Sequence, residues 1–156
     1  MAFDPDQYKT TTRQQWEEYA TGWNAWAPLL EAWLGEATER MLDLAGTQAG
    51  SRVLDVAAGA GGQTIAAGRR VGSEGAVLAT DLSPAILRHA ARAAEADGLD
   101  NVTTRELDGE QLHDLPGGCF DAAISRVGLI YFPNRHQALT GIRHALREEG
   151  RFATVT

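Results

Sequence analysis

Three aspartates, Asp55, Asp81 and Asp108, and two glycines, Gly59 and Gly61, have the types and spacing to do chemistry in this chain. Asp55 lies near the end of a short apolar run, Val53 to Val56, suited to a buried strand, and only small residues follow as far as Gly62. Such residues permit a tight turn and let a ligand lie against bare main chain. Gln63 to Arg70 are good helix material, so the unit is strand, glycine-rich turn and helix, with the helix N-terminus aimed at the contents of the turn. That geometry suits nucleotide-like cofactors. A carboxylate at Asp55 repels a pyrophosphate but suits an ammonium group. Asp81 closes a second apolar run, Ala76 to Asp81, twenty residues after Gly61, the separation at which a crossover returns a carboxylate to ribose hydroxyls. Asp108 follows a third run, Asn101 to Leu107, and with Gly109 it also reads as a plain turn opening.

The turn itself excludes one alternative, weakens a second and leaves a third open. No Gly-Lys-Ser/Thr follows, which rules out a P-loop. The sixth place of a dinucleotide fingerprint holds Thr64 instead of a small residue, which weakens a nicotinamide-dependent oxidoreductase while Asp81 stays compatible with one. Asp55-Val56-Ala57-Ala58-Gly59-Ala60-Gly61 resembles the first motif of class I S-adenosylmethionine-dependent methyltransferases, with Ala57 in the place of the first glycine. Ser125 to Pro133 looks like the fourth motif of the ubiquinone/menaquinone-biosynthesis type of small-molecule methyltransferase, and Leu146 to Phe152 like the turn into their fifth strand.

The resemblance implies an α/β, Rossmann-like, doubly wound and mostly parallel sheet, with S-adenosyl-L-methionine as cofactor and a small organic molecule as methyl acceptor. It also implies roles. Asp55 neutralises the methionine ammonium, Ala57, Gly59 and Gly61 admit the methionyl chain, Asp81 with Leu82 serves the ribose, and Asp108 with Gly109 reads the adenine amino group. Ser125 and Arg126 flank the methionyl end, and Leu129 forms apolar wall. The family's sheet has seven strands ordered 3-2-1-4-5-7-6, whereas this sequence reaches its fifth at Thr156. A truncated enzyme is therefore expected, impaired at the acceptor pocket or reduced to a cofactor-binding fragment. A homodimer is expected through the fifth-strand edge or the N-terminal helices.

Composition bounds the rest. The 156 residues carry a net charge of −7 and a single lysine, Lys9, a poor match to phosphate backbones, so no nucleic-acid partner is expected. No apolar run is long enough for a membrane span and the start lacks a signal-peptide pattern, which points to the cytoplasm. Cys119 is the only cysteine and no cluster has metal-ligand spacing, so no metal is expected.

These residues need elements to hold them. Residues 1–46 read as a helical preface and 47–156 as the cofactor domain. In the preface, Trp16, Tyr19, Trp23, Trp26, Leu30 and Trp33 recur at helical intervals. Gly22 and Pro28 suggest a break between helices near Thr12 to Ala20 and Asn24 to Ala45, capped near Asn24. The stripe reads as core packing or, by the resemblance, as a roof in which Trp16, Tyr19 and Trp23 cover the site. Downstream, Pro84 to Asp97 reads as a helix stopped by Gly98, Phe120 to Ser125 as a fourth strand, and Arg135 to Glu149 as a last helix. No residue is singled out as catalytic base. Tyr131 and His136 follow the fourth strand at the mouth of the site, while His89, His113 and His144 read as structural or surface residues.

Overall fold

The computed structural model describes residues 3–156. Five parallel strands, β1 (Arg52–Val56), β2 (Ala76–Asp81), β3 (Val102–Glu106), β4 (Phe120–Arg126) and β5 (Leu146–Val155), form one sheet ordered β3-β2-β1-β4-β5. The order reverses between β1 and β4, and in open α/β sheets ligands bind outside the carboxyl ends of strands at such a switch point. Asp55, Asp81 and Arg126 all stand at that end.

Helices α1 (Pro5–Ala25), α2 (Ala27–Leu44), α3 (Gly62–Val71), α4 (Pro84–Ala96) and α5 (Arg135–Ala145) complete the chain. Their starts follow from local chemistry. Ser83 and Asn134 cap α4 and α5 by accepting from the backbone N–H of Ile86 and Gln137. One apolar cluster lies around Leu54, Val56, Leu112, Phe120 and Ile142. A second joins Val53, Val77 and Ile124 of the sheet and Val71 of α3 to Met41, Leu42 and Ala45, so the end of α2 shares a core with the sheet.

The preface departs from the expected boundaries. Its first helix begins at Pro5, because Asp4 accepts from the N–H groups of Asp6 and Gln7 and proline suits the first helical position. Gly22 lies inside α1, and the break falls at Trp26 (φ −89°, ψ 3°). Asn24 belongs to α1 and caps nothing, while Pro28 does occupy the first turn of α2. The last helix also stops early. Leu146 turns extended (φ −75°, ψ 140°) and begins β5, whose register against β4 jumps from Phe120↔Leu146 to Ala122↔Arg151. Leu146 to Glu149 are good helix formers, and pairing beside β4 overrides that preference. Among the described residues no helix is long and apolar enough to cross a membrane.

Candidate functional site

The turn after β1 is built from strained main chain. Ala57, Gly59 and Gly61 all have positive φ (57°, 59° and 91°), which explains why glycine favours these places and what alanine costs at the first. Gly61 has a second constraint: a Cβ there would lie 2.8 Å from the Cβ of Ala90 in α4. Its bareness therefore serves helix packing as well as ligand approach. Across the switch point Val127 also has positive φ (62°), a rare conformation for a β-branched residue. Such strain clusters at functional sites, and nothing in the sequence around Val127 announces it.

Beneath the turn lies Asp55, fully buried. Thr64 Oγ1 donates to its Oδ2 at 2.6 Å and Gln63 Nε2 to its Oδ1 at 3.2 Å. Gln63 Nε2 also donates to the Ala58 carbonyl at 3.1 Å, tying the helix start to the turn. Burial pushes the Asp55 carboxyl up to about 6, although both side-chain bonds and the Arg126 charge pull it down. Thr64, which breaks the dinucleotide fingerprint, thus has a structural task at this carboxylate. Asp55 itself lines neither of the two cavities described below.

Asp81 reaches the cleft. Its Oδ2 accepts from Gly59 N–H and its Oδ1 from Ser83 N–H, both at 3.0 Å. Burial raises its pKa against the pull of the Ser83, Gly59 and Leu82 N–H groups. The carboxylate borders both cavities described below, and as an acceptor it suits ribose hydroxyls. Asp108 accepts from Glu110 N–H at 2.9 Å and from the Lys9 ammonium at 2.8 Å, and Lys9 also reaches Glu110 at 2.6 Å. Burial acts against the Lys9 charge, but the bonds to Asp108 and Glu110 and their charges outweigh it and raise its pKa. Gly109 is needed here, since a Cβ would meet the Phe132 ring at 2.3 Å.

Two cavities open on these residues. The larger, about 460 Å³, runs from Gly59, Gly61 and Arg126 to a roof that includes Trp16, Trp23, Leu30 and Trp33, within the volume range of small-molecule sites. The smaller, about 50 Å³, is bounded by Asp81, Leu82, Asp108, Gly109, Lys9 and Tyr131. Trp16 packs edge-on against both Trp23 and Tyr131, with centroids 5.2 and 5.6 Å away, and Tyr131 borders both cavities. Of the expected roof, Tyr19 is exposed and lines neither. The expected Leu129 wall and His136 line neither cavity, and nor do the other three histidines. Ser125 is fully buried with an unpaired hydroxyl, and its carbonyl accepts from Thr154 Oγ1 at 2.7 Å. Lys9 and Glu31, which both meet the cavities, carry no sequence signal beyond lone charges in a helix. Among the described residues no His, Cys, Asp and Glu cluster could hold a metal.

A switch-point cleft with strained bare turns and acids near successive strand ends defines a Rossmann-like methyltransferase. Residues 53–150 match the model of the methyltransferase domain family, and the chain belongs to that family. It is 31% identical to aklanonic acid methyltransferase DauC of a Streptomyces species over 114 residues, covering 73% of this chain and 51% of that one. It is 33% identical to the ubiquinone/menaquinone biosynthesis C-methyltransferase UbiE of Methylococcus capsulatus over 111 residues, covering 70% and 44%. A SAM-dependent methyltransferase from Aquifex aeolicus shares the fold with a TM-score of 0.65 at 24% identity, covering 70% of this chain and 58% of that one. The chain spans about half the length of the curated relatives it matches. Class I methyltransferase membership and S-adenosylmethionine as cofactor follow, and the nicotinamide alternative is left without support.

Proposed function

We propose that this protein transfers the methyl group of S-adenosylmethionine to a small, largely apolar organic acceptor held beneath the tryptophan roof. The observation that carries the reading is the apolar cavity of about 460 Å³ opening directly on the bare turn at Gly59 and Gly61. Two relatives whose names concern aklanonic acid and ubiquinone/menaquinone biosynthesis support a small acceptor. The cofactor supplies a methyl group already activated by its sulfonium charge. What the chain must supply is position.

Asp81 offers its carboxylate to the ribose diol, and Asp108, beside Leu82 and Gly109, faces the adenine end of the smaller cavity. Gly59 and Gly61 leave room for the methionyl chain. Asp55 acts from beneath, fixing Gln63 and Thr64 at the start of α3 and lending its negative charge to the turn. Trp16, Trp23 and Tyr131 exclude water and hold a flat acceptor against the turn. Alignment of two reactants in this way can lower a barrier by about 7–11 kcal/mol, and a base is required only for an acceptor that arrives protonated.

Calorimetric titration with S-adenosylhomocysteine and with NAD, repeated on Asp81→Ala, tests this. Binding of the adenosyl compound alone, weakened about 100-fold or more by loss of the carboxylate, is the expected result. Binding of NAD in its place, or indifference to Asp81→Ala, overturns it.

A further inference from the structure

The larger cavity does not end at the glycine-rich turn. Its lining on α3 recurs at Gly62, Ile65, Ala66 and Arg69, the spacing of one helical face, so the space follows that helix for about 10 Å at 1.5 Å per residue. On α4 it meets Ile86 and Ala93, one turn to either side of Ala90, which packs against Gly61. Beyond that contact an alanine lines the space on each helix, Ala66 on α3 and Ala93 on α4, both half-buried. Side chains of one carbon leave a furrow open between the helices, and Ala27, Pro28 and Leu34 from the meeting of α1 and α2 also line the cavity. At the far end stands Arg69. Its Nε donates to Asp97 Oδ2 at 2.6 Å and its Nη2 to Oδ1 at 2.5 Å, so the last residue of α4 clasps it across the gap. The preface contributes Asn24 and Glu31 as polar lining, and Glu31 is exposed.

From this shape we propose that the furrow between α3 and α4 is a further subsite, which takes a neutral aliphatic chain carried by the methyl acceptor. The acceptor class is then an amphiphile, with its flat head beneath Trp16, Trp23 and Tyr131 and its tail leading away from the reacting end. The furrow is continuous with the bare turn, so head and tail belong to one ligand. Its lining also changes in kind, from aromatic rings near the turn to Ile65, Ala66, Ala93 and Leu34 along the helices. Such walls reward methylene groups by area and offer polar substituents no partner. The Arg69 charge is already met by Asp97, so a carboxylate at the chain end gains little there. The acceptor class rests on the methyltransferase reading, and the furrow as a chain-binding groove does not.

Calorimetry with 4-alkylphenols, from 4-ethylphenol to 4-octylphenol, tests this on the full chain and on Ala66→Trp and Ala93→Leu, which fill the furrow and spare the turn. In the parent each added methylene is expected to strengthen binding about two- to fourfold, until the chain reaches Arg69 and further methylenes meet water. Each variant is expected to bind 4-ethylphenol within about twofold of the parent, which also shows that it is folded, and to lose the gain from longer chains. An affinity that does not rise with chain length in the parent overturns the proposal. So does a rise that persists in both variants, because the chain then lies elsewhere. Titration with S-adenosylhomocysteine separates the two readings. A parent that shows the length dependence but does not bind the adenosyl compound refutes the methyltransferase reading and leaves the furrow standing. One that binds the adenosyl compound without any length dependence refutes the furrow alone.

Discussion

The sheet and the helical preface treat their large apolar residues in opposite ways. In the sheet layer Val53, Leu54, Val56 and Ile124 are fully buried. In the preface Tyr19, Trp23, Trp26, Leu29 and Trp33 stand 41–75% exposed, and besides Thr12 and Ala20 of α1 it is buried only at its far end, at Thr38, Met41 and Leu42. The contrast separates two tasks in one site. The turn over β1 is held by burial and backbone geometry. The preface reaches the site through a few side chains: Trp16 on Tyr131, Lys9 on Asp108 and Glu110, and Arg13 on Glu106. On the proposed reading the sheet side fixes the cofactor, and the preface side is free to adapt to the acceptor.

Damage to the rigid side sharpens this contrast most. Gly61→Ala must accept φ of 91° and press its Cβ to 2.8 Å from Ala90. Left-handed strain of about 1–2 kcal/mol and overpacking of about 1–3 kcal/mol add to a loss of about 2–5 kcal/mol, seen as a lower urea midpoint with an unchanged slope. A loss under about 1 kcal/mol would show that the turn yields, and the division between rigid and adaptable halves would fail.

A second break acts through charge. Burial lifts the Asp55 carboxyl from 3.8 to about 6 in the fold, so between these values the folded state holds a proton that the unfolded state has released. Stability from this group is therefore greatest below about 4 and declines as pH rises through about 6, by about 3 kcal/mol in all. Asp55→Asn cannot ionise, and Thr64 can turn its hydroxyl to accept from the new amide. The variant is expected to be more stable than the parent at pH 8, by about 1–3 kcal/mol, and to lose that advantage at pH 4.5. Urea melts at the two values check the sign. An advantage independent of pH would place the effect in packing instead.

How much of this was legible varies with the kind of contact. The strand tips and the turn could be read because glycine, alanine and aspartate at those intervals reflect backbone geometry, which is local. Asp55 as a ligand group could not be judged, because its burial depends on Gln63 and Thr64 folding back over it from the next helix. The start of α1 is marked in the sequence by Asp4-Pro5, an N-cap followed by proline, although the aromatic stripe begins only at Trp16. The end of α5 was not, since Leu146 to Glu149 favour helix and only their neighbour β4 makes them strand. Lys9 lay beyond local reasoning altogether: its two partners are about a hundred residues away.

That same lysine gives the smallest predicted effect and the one that probes the adaptable side. Glu110 is almost fully buried, and its other oxygen accepts from Asn134 N–H at 2.6 Å, at the cap of α5. Lys9→Met removes the cation shared by Asp108 and Glu110 while keeping most of the aliphatic stem. The two carboxylates then face each other less well compensated, but Asn134 and the Glu110 backbone N–H still serve them, so the expected cost is about 1–2 kcal/mol. Because the ammonium ties α1 to the smaller cavity, the variant should also exchange the amide protons of α1 faster while those of β1 and β4 keep their protection. Equal acceleration in both regions would mean that preface and sheet open as one unit, and the contrast between them would dissolve.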